Sequence, residues 1–69
     1  MDRPFWVVRV RADGSHEFLR AYTRKGDAKR LALVEHEACL RWPDGGLYSA
    51  INVTREGETL LSYPIAASA

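Results

Sequence analysis

One uninterrupted stretch of helix-forming residues, Arg24 to Trp42, stands between two segments rich in strand-forming ones, and Pro43 ends it. This is the only segment of the chain that reads as a helix, with Thr23 or Asp27 available as its N-cap. At 100° per residue, Ala28, Leu31, Ala32, Val34, Ala38, Cys39 and Trp42 fall on one broad side, which is expected to pack on a sheet. Leu33 and Leu40 stand one heptad apart on the opposite side, near Lys29, His36 and Glu37. Glu35 projects within the apolar arc and, if buried, requires a partner such as an arginine.

The flanking segments read as hairpins. Residues 5–12 are β-branched and aromatic, Asp13-Gly14 follows, and a second run extends from His16 to Tyr22. A two-residue loop at Asp13-Gly14 would set Ala12 opposite Ser15, Val10 opposite Glu17, Val8 opposite Leu19 and Trp6 opposite Ala21, giving one mostly apolar face. The other face would then carry Phe5 opposite Tyr22, Val7 opposite Arg20, Arg9 opposite Phe18 and Arg11 opposite His16. Beyond the turn cluster Pro43-Asp44-Gly45-Gly46, Leu47 to Arg55 and Glu58 to Ile65 form a second pair of strands about Glu56-Gly57. There Leu47, Ile51, Val53 and Leu60 are expected to share one face, and Tyr48, Asn52, Thr54, Thr59, Leu61 and Tyr63 the other. The expected architecture is α+β: a single two-layer β-β-α-β-β domain over residues 1–69, a four-stranded antiparallel sheet with one helix packed on one face. Its parts are a hairpin at 5–22, the helix at 24–42, a hairpin at 47–65 and a tail at 66–69, and its expected core is Trp6, Val8, Leu19, Leu31, Ala38, Ile51 and Leu60.

A chain of 69 residues holds one core and leaves little room for an enclosed active site beside it. Ten Lys/Arg against nine Asp/Glu exclude a uniformly basic or uniformly acidic surface, so any nucleic-acid contact must come from a local patch. The one cysteine, Cys39, forms no disulfide within the chain, and the sequence shows neither a signal peptide nor a membrane-length apolar run. A reducing, cytoplasmic setting is therefore expected.

No catalytic constellation emerges. Cys39 and His36 occupy neighbouring helical rows, but a small core residue is the better reading of the cysteine. Two histidines and one cysteine without paired spacing fall short of a zinc site, and the glycines lie at turns, so neither metal nor cofactor is expected. Two surfaces remain. On the first hairpin Arg9, Arg11, Phe18, Arg20 and Tyr22 interleave cations with rings, a pattern suited to nucleic acid. On the helix, the basic residues Arg24, Lys25 and Lys29 lead into Leu33, His36 and Leu40, a charged start followed by an apolar strip suited to a protein partner or to a homodimer.

In element order, and in the helix run Asp27-Ala28-Lys29-Arg30-Leu31-Ala32, the chain resembles certain phage and mobile-element anti-CRISPR inhibitors of type I surveillance complexes. That resemblance implies a non-enzymatic viral protein that binds a bacterial CRISPR-Cas nucleoprotein complex and blocks target-DNA access, as mimic or competitor of the nucleic acid. It carries over no individual residue. The alternatives are a small nucleic-acid-binding domain and a homodimeric regulatory module.

Overall fold

The computed structural model describes residues 3–41 and 47–65. The elements are β1 (Phe5–Arg11), β2 (His16–Tyr22), α1 (Lys25–Arg41), β3 (Tyr48–Arg55) and β4 (Glu58–Pro64). The strands form one open sheet in the order β2-β1-β3-β4, every neighbouring pair antiparallel, and α1 lies on one face of it. The chain is thus a small α+β domain, as the run of strand and helix formers indicates. The two hairpins meet through β1 and β3, and α1 carries the chain from edge strand β2 past β1 to β3. The expected helical Trp42, the turn at Pro43 to Gly46 and the tail at 66–69 lie outside the described residues.

The first turn has three loop residues, not two. Gly14 N–H donates to the Arg11 carbonyl at 2.9 Å and Arg11 N–H donates to the Ser15 carbonyl at 2.8 Å, with Gly14 at φ 91°. A type I turn closed by a left-handed residue has this form, and a glycine takes that conformation without strain. The Asp13 carboxylate accepts the Ser15 N–H at 2.8 Å, and hydrogen bonds from Ser15 hold the Asp13 pKa below its ordinary value.

The longer loop moves the pairing by one residue, so Val10 faces His16, Arg9 faces Glu17 and Val8 faces Phe18. A bulge at Leu19 then restores the expected pairs Val7 with Arg20, Trp6 with Ala21 and Phe5 with Tyr22. The β3–β4 turn does use the two expected residues, with φ 53° at Glu56 and 80° at Gly57. Both central residues have positive φ, which suits asparagine better than glutamate at the first position. Glu56→Asn should therefore raise stability in chemical denaturation by about 0.5–1 kcal/mol, the exposed Arg3–Glu56 ion pair being a small loss.

Val7, Ala28, Ala32, Ile51 and Val53 form the fully buried cluster under the helix, and Phe5, Leu19, Tyr22, Leu31, Cys39, Leu61, Tyr63 and Ile65 pack around it. Two alanines at the contact allow α1 to approach the sheet closely. This corrects the expected core. Apolar residues occupy both faces of β1, and the helix covers the Phe5/Val7 side, leaving Trp6 on the open side with 37% of its surface exposed. Val8 is buried on that open side, outside the helix-side cluster.

In β4 a second bulge makes Leu60 the extra residue, so that Leu61, opposite Val53, enters the cluster in its place, and Tyr63 follows opposite Ile51. Ile51 is buried as expected, whereas Leu19, Leu31 and Ala38 are half-buried. Val34, expected on the packed side, is 57% exposed. Among the described residues, no helix is long and apolar enough to cross a membrane.

Candidate binding surface

The hairpin residues assembled by sequence alternation do not share a surface. Arg9 lies on the helix side of the sheet, and its guanidinium donates to Glu17 Oε1 at 2.9 Å and approaches Glu35 Oε2 to 3.9 Å. Glu35 thus has the arginine partner that its position in the apolar arc requires. The same Glu17 accepts from Arg11 at 3.3 Å and from the Tyr48 hydroxyl at 3.3 Å, while the Arg9 guanidinium sits 4.9 Å from the Tyr48 ring centre. Burial alone would lower the Arg9 pKa, but the neighbouring Glu17, Tyr48 and Glu35 outweigh it and hold the value raised. Arg9 and Arg11 are therefore engaged within the fold, clamped to one carboxylate.

Arg20 stacks over Tyr22 at 5.2 Å on the helix side. Phe18 is on the open side, 59% exposed, edge-on to Trp6 at 5.6 Å and to His16 at 6.4 Å. The three-residue turn and the bulge at Leu19 cause this separation, because each offsets the alternation by one position.

The helix residues are arranged differently. Arg24, Lys25 and Lys29 are exposed, and Leu33 and Leu40 follow with 43% and 54% of their surfaces open. His36 does not stand outward between the leucines. Its Nε2 lies 2.9 Å from the Pro64 carbonyl, and its ring lies 5.9 Å from that of Tyr63. The row Lys29, Leu33, His36, Leu40 is thus the flank of α1 turned toward β4, and His36 ties that flank to the end of the strand.

The opposite flank, turned toward β2, carries residues that helical averaging assigned to the core. Val34 lies between two open hollows of about 310 and 210 Å³, the first lined by Tyr22, Asp27, Arg30, Leu31 and Val34, the second by Val34, Glu37, Ala38 and Arg41. A signal for this seam is present in the sequence: Asp27, Leu31, Val34, Ala38 and Arg41 alternate by four and three, the spacing of a helix–helix contact line. Among the described residues, no group of three or more His, Cys, Asp or Glu side chains is placed to hold a metal ion. Comparison with protein-family models, with curated proteins and with solved structures finds no match for this chain.

Proposed function

We propose that the chain is a non-catalytic protein-binding module that docks through the β4-side flank of α1. The observation that carries this reading is the pair of exposed leucines, Leu33 and Leu40, on a helix whose fully buried residues are alanines. A helix that buries Ala28 and Ala32 while leaving Leu33 and Leu40 in water presents two of its three leucines away from the core, the arrangement of a helix recognised in a groove. Arg24, Lys25 and Lys29 beside them call for an acidic rim on the partner. The first partner class to test is a bacterial nucleoprotein assembly of the type I CRISPR surveillance kind, on the order of elements and the Asp27–Ala32 helix run. The engagement of Arg9 and Arg11 with Glu17 favours protein over nucleic acid as the contacted component.

The experiment is capture of the partner from bacterial lysate, with and without nuclease, followed by kinetics on the isolated pair. Leu33→Asp should speed dissociation by about tenfold or more by wetting the centre of the contact. Charge reversal at Arg24 and Lys25 should slow association by roughly several-fold at low salt and much less at high salt. A folded Leu33→Asp protein that binds with unchanged kinetics overturns the reading.

A further inference from the structure

The β2-side flank of α1 has a charge order that is complementary to itself when reversed. Along the seam the sequence reads Asp27, Arg30, Leu31, Val34, Glu37, Ala38, Arg41, acid then base before Val34 and acid then base after it. Antiparallel pairing of two copies about a two-fold axis at Val34 sets Asp27 against Arg41 of the second copy and Arg30 against its Glu37, and packs Leu31, Val34 and Ala38 between them. Parallel pairing would instead bring each charge against its like. We infer that this flank is an interface between two copies of the chain, joined as an antiparallel helix pair.

Three further observations agree. Val34 is 57% exposed, and the hollows on either side of it, about 310 and 210 Å³, are the grooves that side chains of a facing helix fill. Among the described residues neither Asp27 nor Arg30 has an ion-pair partner within its own chain. The Glu37–Arg41 pair at 3.2 Å is open to solvent on both sides and is exchanged at little cost for partners across the axis. Antiparallel alignment also opposes the two helix dipoles favourably.

The contact is small. A helix of 17 residues is about 25 Å long, and one flank of it falls short of the roughly 800 Å² per partner of a standard interface. A contact this small suits a weak dimer whose population depends on concentration, and the micromolar range is the one to search.

Sedimentation equilibrium of the purified chain at low salt, from about 10 to about 500 μM, spans that range. The average mass is expected to rise from that of the monomer toward twice that value. Val34→Asp should remain monomeric throughout; the side chain is exposed, and circular dichroism verifies the fold. Arg30→Glu should weaken association by roughly fivefold or more, and Arg30→Glu combined with Glu37→Arg should restore it. Leu33→Asp, on the other flank, should leave self-association unchanged while impairing partner capture, which separates this inference from the proposed function. A wild type that stays monomeric at the highest concentration overturns it, as does Val34→Asp associating like the wild type, or a charge swap that fails to restore the dimer.

Discussion

Ile51→Ala is expected to reduce the stability of the domain by about 2–5 kcal/mol, a large share of the total that a chain of this length commands. Ile51 has no exposed surface, is the largest of the fully buried side chains, and sits on the inner strand β3 beneath Ala28 and Ala32. Its register neighbours are Arg9 on β1 and Tyr63 on β4, so the cavity left by truncation lies on the hydrogen-bonded sheet, among the side chains of Val7, Val53 and Tyr63 and beneath the helix. Strands held in a ladder do not collapse into such a space. Leu31→Ala removes as many atoms from a half-buried site at the rim and should cost less. Urea denaturation of the two variants measures both, and a loss below about 1 kcal/mol for Ile51→Ala would contradict the packing described.

The second large effect is expected at Glu17. Its carboxylate accepts from Arg9, Arg11 and Tyr48, and Arg9 Nε is already buried without a hydrogen-bond partner among the described residues. Glu17→Ala leaves the Arg9 cation with the Tyr48 ring and, among the described residues, one carboxylate, Glu35 at 3.9 Å, and should cost about 1–3 kcal/mol, mostly the desolvation of a charge that has lost its acceptor. Removing the charge as well should recover part of the loss, so Arg9→Met in the Glu17→Ala background is expected to be more stable than Glu17→Ala alone. Equal stability of the single and double variants in denaturant would show that the carboxylate does not support the arginine.

The order of elements was legible because its signals are local: Asp-Gly and Glu-Gly turns between strand formers, and a helix bounded by a proline. The face assignments required information that alternation does not contain. In β1 the sets Phe5/Val7 and Trp6/Val8 are both apolar, so hydrophobicity alone leaves open which side the helix covers. The bulges at Leu19 and Leu60 add one residue each, and a single added residue exchanges inside for outside. Arg9 and Phe18 were separated by such a shift, and Leu61 gained its place in the core by another. On the helix, an arc broad enough to span Ala28, Leu31, Val34 and Cys39 takes in Val34, although the two buried alanines define a much narrower contact. Exposure of Leu33 and Leu40 follows from their angular position, whereas the attachment of His36 to Pro64 depends on how far β4 extends beneath the helix.

The placement of β1 and β3 at the centre of the sheet has a consequence for the time course of folding. Each hairpin closes over a short loop and can begin within microseconds, yet a two-stranded hairpin is at best marginal in water. The β1–β3 pairs join residues 37 to 48 positions apart, and the intervening segment contains the helix. The slow event is thus the meeting of two short-lived halves, with Val7, Ile51 and Val53 coming together under α1 in the same step. The chain is therefore expected to fold all-or-none, at a rate governed by the seam between its hairpins and not by its turns.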